Sequence, residues 1–274
     1  MRRFLLLLIL VVVMGMTAAC KSGTSPGHED IENARDAYSK GLYLEAEKGY
    51  ERYLQVEPQG TFRKEAWDRL SEIAISVKGD FDRAVVLLEA MYLELGTDPD
   101  VAWSIMFQMG DVYAQLGNYS KAIESYEKCL VHAVNSPENT FKTQLRMARL
   151  YRSMGDYEMV AATLVNCADS TNDNEAKAEC MYELAQSYSF ITNWNQSRRV
   201  LESLLELDGV SEERRALAIF LLADIYENER DYAKTKELLE SILTTYPNPK
   251  VIESRLSNLP YIAPKEIPAV PPAQ

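Results

Sequence analysis

The sequence predicts an all-α fold, a stack of about six helix–turn–helix repeats, and three observations predict it. An aromatic residue recurs as Tyr43, Phe81, Tyr119, Tyr157, Trp194 and Tyr232, a period of about 38 residues. In the first four copies a glycine stands two residues earlier, at Gly41, Gly79, Gly117 and Gly155. After the aromatic, small and apolar residues follow in helical register, clearest in Tyr119, Ala122, Tyr126 and Cys129.

The head of the chain sets the expected compartment. Arg2 and Arg3 precede an apolar run, Phe4 to Met16, and then Thr17-Ala18-Ala19-Cys20. A basic head, a short apolar stretch and a small-residue site read as a secretory signal over residues 1–19. The final Ala-Ala-Cys resembles a bacterial lipobox, with Thr17 where leucine is usual. That resemblance implies that Cys20 carries the lipid, palmitate included, and becomes the mature N-terminus. Lys21 after it fits sorting to the outer membrane, facing the periplasm. Residues 20–29 are rich in Gly, Ser and Pro and read as a flexible tether, with His28 an inert linker residue.

The repeat domain is expected over 30–250. Each repeat carries two helical patterns: Ile105, Met109, Val112, Tyr113 and Leu116 share one face before the turn, and the Tyr119 frame follows it. Gly117 suits the left-handed end of the first helix. Gly110, like Ala34, Ala148, Ala185 and Ala223, lets the paired helix approach. Ser136 before Pro137 is a capped helix start. Two copies depart from the frame. Leu70, Ile73, Ala74 and Val77 sit one residue early relative to Gly79, so that turn is expected to be looser. Thr192 and Arg230 replace the turn glycine, so the first helices of the fifth and sixth copies are expected to end differently. At 251–274, Val251, Ile252, Leu256 and Leu259 form a short capping pattern, and a proline-rich, disordered tail follows.

Gly110, Tyr113, Gly117, Tyr119, Ala122 and Tyr126, with Pro247 closing the last copy, resemble the tetratricopeptide repeat, whose helix–turn–helix unit is about four residues shorter. The resemblance covers about 31–248. It implies a right-handed α-α superhelix whose first helices line a concave groove, and partners that are proteins or peptides. The order of signal, lipobox, tether and repeats resembles the lipoproteins of β-barrel assembly machinery and other envelope repeat lipoproteins. A non-catalytic periplasmic scaffold is therefore the expected function, and an adaptor for peptidoglycan-synthesis or hydrolysis enzymes is the alternative.

Composition narrows the chemistry. The formal net charge is −12, which disfavours nucleic acid and anionic lipid surfaces. With two histidines and no nucleotide loop or nucleophile elbow, neither catalysis, nor a cofactor, nor a small-molecule substrate is expected. Cys129 and His132 lie three apart on a helix, but no further metal ligands are evident, and Cys129 takes a core slot. Cys167 and Cys180 stand on helices expected to be neighbours: either they form a disulfide, or they pack as reduced thiols. Lys142, Arg146, Arg149 and Arg152 form a cationic face on one helix. That stripe has two readings, a clamp for an acidic or C-terminal carboxylate ligand and a set of ion pairs with Asp111, Glu179 and Glu183. Phe107, Tyr182 and Phe220 recur on the same face, as groove anchors or as packing.

Overall fold

A computed structural model describes residues 27–260, so Cys20 and the lipobox, the proline-rich tail and most of the tether lie outside the described residues. The described chain is all-α: thirteen helices and no strand. Helix α1 (His28–Ser39) begins two residues inside the expected tether, so His28 opens a helix. It is followed by α2 (Tyr43–Val56), α3 (Arg63–Glu72), continued by a π-helical stretch Ile73–Lys78, and α4 (Phe81–Leu95). Then come α5 (Pro99–Gln115), α6 (Tyr119–His132), α7 (Pro137–Met154), α8 (Tyr157–Asp169) and α9 (Asn174–Phe190). The last are α10 (Trp194–Leu205), α11 (Glu212–Asn228), α12 (Tyr232–Ser241) and α13 (Pro249–Asn258).

The single domain expected over 30–250 divides into two compact units, separated between Thr97 and Asp98. The first holds α1–α4, two helix pairs around Ile31, Ala34, Tyr50, Tyr53, Leu70 and Ile73. The second holds α5–α13. There the repeat frame is the core: Ala122, Tyr126 and Cys129, Val160, Leu164 and Cys167, and Leu201 and Leu204 are all buried. Ile252 of α13 is buried with Leu239 and Ile242, and Leu256 and Leu259 pack on them, so α13 covers the last pair. Val251, expected in that capping face, points outward instead.

The turns have one construction. In the first, third and fourth copies the N–H that follows the turn residue bonds back five residues: Leu42 to Ala37, Asn118 to Tyr113, Asp156 to Tyr151. The intervening residue is left-handed, at φ +74° for Gly41, +71° for Gly117 and +76° for Gly155. The next residue caps the second helix. The side chains of Asp80, Asn118, Asp156, Asn193 and Asp231 accept the N–H of Arg83, Lys121, Met159, Gln196 and Lys234. In every copy but the first, where Leu42 stands, the residue between turn residue and aromatic is therefore an Asx cap, a signal present in the sequence.

Both departures resolve differently from expectation. In the second copy the turn is not looser: Gly79 is left-handed at +62° and Asp80 caps as elsewhere. The extra residue is absorbed upstream, where Ile73–Lys78 is π-helical and the closing bond from Asp80 N reaches Ala74 O, six residues back. Nor do the fifth and sixth first helices end differently. Thr192 and Arg230 adopt φ of 57° and 65°, and Asn193 and Asp231 close the helices onto Tyr188 and Tyr226 at 2.9 Å. The motif imposes the left-handed conformation on residues whose Cβ disfavours it by about 1–2 kcal/mol. Thr192→Gly and Arg230→Gly are accordingly expected to raise stability, each by up to about 1 kcal/mol, the β-branched Thr192 gaining more. Urea unfolding followed by circular dichroism measures this, and a loss of stability would show that these side chains contribute more than their strain.

Candidate functional site

The second unit presents a groove of about 790 Å³ between α9, α11 and α13. Helix α9 contributes Gln186, Ser189 and Phe190, and α11 contributes Leu221, Asp224, Glu227 and Asn228. These α11 positions are spaced by three, three and one, which keeps them on one helical face. Arg255 and Asn258 close it from α13, and Trp194 and Tyr232, the turn aromatics of the last two repeats, form its flank. Phe190 is 61% exposed at its mouth. Arg255 donates to both Asp224 and Glu227. Burial lifts the Asp224 carboxyl above the usual carboxylate range in spite of Arg255. Two carboxylates thus face one guanidinium in a partly desolvated wall.

The residues expected to bind a partner lie elsewhere, and each is engaged within the chain. Lys142 pairs with Glu138 at 2.5 Å and Arg146 with Asp111 at 3.6 Å. Arg149 and Arg152 converge on Glu183 at 3.1 and 2.7 Å, and Arg152 also donates to Ser187 Oγ at 2.9 Å. Burial alone would raise the Glu183 carboxyl; the two arginines outweigh it and hold it below the usual range. Glu179 does not serve the stripe, because Arg214 takes it at 3.4 Å. The stripe is therefore engaged in ion pairs, Lys142 within α7 and the three arginines with Asp111 of α5 and Glu183 of α9, four cations to three carboxylates.

The three aromatics are covered in a related way. Phe107 packs on Trp103 and Tyr126, with Arg146 stacked at 5.6 Å. Tyr182 sits against the core of the fifth repeat, with Arg214 at 6.0 Å from its ring. Phe220 stacks on Tyr246 at 4.7 Å, under Arg255 at 4.8 Å. Packing, rather than an open anchor, is what the structure gives these rings. A shared device emerges. Phe107 and Asp111, four residues apart, hold Arg146; Phe220 and Asp224, with the same spacing, hold Arg255. In each case an arginine from the next first-helix position lies over an aromatic ring and against a carboxylate.

Cys167 at the end of α8 and Cys180 near the start of α9 are joined in a disulfide, with Cα atoms 5.9 Å apart and both residues buried. The buried Cys129 thiol donates to the Trp103 carbonyl oxygen at 3.6 Å, and burial pushes it up to about 12, so it stays protonated. Among the described residues no cluster of three His, Cys, Asp or Glu is placed to hold a metal ion.

Helix pairs of this length, joined by left-handed turns and stacked through small residues, define a helical-repeat protein. Two models of the tetratricopeptide repeat family match the chain, over residues 100–165 and 217–249, so it carries repeats of that family. Its fold is similar to the C-terminal part of a tetratricopeptide repeat protein from Cytophaga hutchinsonii, at 18% identity and TM-score 0.64 over 90% of this chain and 93% of that one. It is also similar to BtubC from P. vanneervenii, at 14% identity and TM-score 0.54 over 90% and 96%. A tetratricopeptide repeat protein from Parabacteroides merdae matches at 16% identity and TM-score 0.52 over 86% and 98%. No curated protein matches the chain. Tetratricopeptide repeat proteins are generally non-catalytic scaffolds that bind protein or peptide partners.

Proposed function

We propose that the chain is a lipid-anchored scaffold at the periplasmic face of the outer membrane, binding segments of partner proteins during envelope assembly. The observation that carries the binding part is the groove between α9, α11 and α13, which is lined by the rings of Phe190, Trp194 and Tyr232 and the charges of Asp224, Glu227 and Arg255. Export is supported by the signal-like head ending in Cys20, and by the Cys167–Cys180 disulfide, a bond that persists in oxidising compartments. Among the described residues no helix is long and apolar enough to cross a membrane, so anchoring falls to Cys20 in this reading.

Two measurements test it. Cys20→Ala is expected to abolish labelled palmitate incorporation and to move the protein from the membrane pellet to the soluble fraction; a variant that stays in the pellet rejects the anchor. Affinity capture with the intact lipoprotein is expected to recover outer-membrane β-barrel assembly subunits. Recovery of peptidoglycan enzymes instead would transfer the protein to the adaptor reading, and recovery of neither class would reject both.

A further inference from the structure

The chemistry of the groove, rather than its volume, says what enters it. Within the second unit the chain recognises its own arginines by one arrangement, an aromatic ring beside one or two carboxylates. Arg146 lies over Phe107 against Asp111, and Arg214 lies near Tyr182 against Glu175 and Glu179. Arg255 lies over Phe220 against Asp224 and Glu227. In these three the cation comes from the next first helix; in two others it comes from an earlier helix, Arg152 of α7 lying over Phe190 at 5.8 Å against Glu183, and Arg198 of α10 over Tyr226 at 4.9 Å against Glu229.

The groove between α11 and α13 is acidic and aromatic, with two partly exposed carboxylates to its one arginine. Asp224 and Glu227 share the single Arg255, while Phe190, Trp194 and Tyr232 present ring surface to the same groove. The carboxylates are reachable, with 35% of the Asp224 and 40% of the Glu227 side chain exposed. Burial nonetheless outweighs the pull of Arg255 at Asp224, so its charge is under-compensated. Gln186 and the side-chain oxygen of Asn228, whose Nδ2 donates to the Asp224 carbonyl, add hydrogen-bonding groups suited to an extended backbone. The net charge of the whole chain, −12, has the same sign and would draw a cation toward the site.

We infer that this groove takes an extended segment of a partner protein that presents a lysine or arginine flanked by apolar residues. The cation enters between Asp224, Glu227 and the exposed ring of Phe190, and the apolar neighbours lie on Leu221, Trp194 and Tyr232. This rests on the reading of the chain as a peptide-binding scaffold and names the partner's chemistry. Its ligand is opposite in charge to the acidic one that the basic face of α7 suggests, a face whose four cations are paired with the three carboxylates of Asp111, Glu138 and Glu183.

The test uses the full chain and two fluorescein-labelled peptides of equal length, one repeating Lys-Leu-Pro and the other Glu-Leu-Pro, read by fluorescence polarisation. The Lys peptide is expected to bind, at least about tenfold more tightly than the Glu peptide, and to weaken as salt is raised. Asp224→Asn with Glu227→Gln is expected to weaken the Lys peptide about tenfold. Because that pair also holds Arg255, Phe190→Ala serves as a second variant; its ring is 61% exposed and touches Arg152 at 5.8 Å, an arginine that Glu183 and Ser187 also hold, so the fold is retained while binding falls severalfold. Equal binding of the two peptides, or unchanged affinity in both variants, overturns the inference and leaves the scaffold reading to the capture experiment. Removing residues 261–274, which include Lys265, is expected to change affinity less than about twofold. Binding that develops only after that removal would assign the groove to the chain's own tail and overturn the partner proposal.

Discussion

Replacing both Cys167 and Cys180 by alanine is expected to lower the free energy of unfolding by about 3 kcal/mol, the largest loss of any change outside the core aromatics. The bridge closes a loop of 13 residues between the end of α8 and the start of α9. In the chain-entropy account, opening it restores conformational freedom to the unfolded chain, and a loop of this length gives that magnitude. The native state loses little, because alanine keeps both positions apolar and the two helices still pack through Leu164, Ala178 and Ala185. In a stacked repeat, stability is close to a sum over units and their interfaces, so the loss falls on the boundary between the fourth and fifth repeats. Urea unfolding should therefore show the wild type under reducing agent superimposing on the double variant, with the oxidised wild type unfolding at higher urea. Coincidence of all three curves would show that the bridge contributes nothing. The same comparison bears on compartment, since a protein that relies on this bond needs an oxidising surrounding to keep it.

The fold was legible because each repeat writes its core in the same register. Ala122, Tyr126 and Cys129 could be read as buried from spacing alone, and they are. Local chemistry was legible where one residue decides it, as with Ser136 capping α7. Three kinds of information were not. The π-helical stretch at Ile73–Lys78 and the left-handed Thr192 and Arg230 follow from the stack holding each turn in place, which no local preference reveals. The pairing of Arg149 and Arg152 with Glu183 depends on which helix faces are opposed, and that is set by residues about 31–34 positions away. The groove was missed for the same reason, since Phe190, Asp224 and Arg255 come from three helices and share no motif. One signal was available: Asp224 stands four residues after Phe220 as Asp111 does after Phe107, and this repeat of ring and carboxylate marks the device that holds each arginine.

Gly110→Ala is expected to destabilise the protein by about 2 kcal/mol, even though alanine is the better helix former by about 1 kcal/mol. A Cβ at Gly110 would lie 2.4 Å from Cε1 of Tyr126 and 2.7 Å from Cδ1 and Cζ, so the ring or the helix must move. The ring is poorly placed to yield: Tyr126 is 2% exposed, its hydroxyl donates to Asp111 at 2.7 Å, and Phe107 packs edge-on against it. The other repeats show the compensation. Counting from the turn, the positions of Gly110 and Tyr126 are occupied by Ala148 and Leu164 in the fourth repeat, Ala185 and Leu201 in the fifth, and Ala223 and Leu239 in the sixth. In these three copies alanine stands opposite leucine, and in the third repeat glycine stands opposite tyrosine; the first repeat sets Ala34 opposite Tyr50 and takes its close approach at Gly49 on the second helix instead. The double variant Gly110→Ala with Tyr126→Leu recreates the pair of its neighbours, and should be more stable than the sum of the two single losses by about 1–2 kcal/mol. It will not recover fully, because Asp111 loses a hydrogen-bond donor and keeps only Arg146 at 3.6 Å. Strictly additive losses in chemical unfolding would mean that the two sites are independent, and that the close approach of α5 and α6 does not depend on the missing side chain at Gly110.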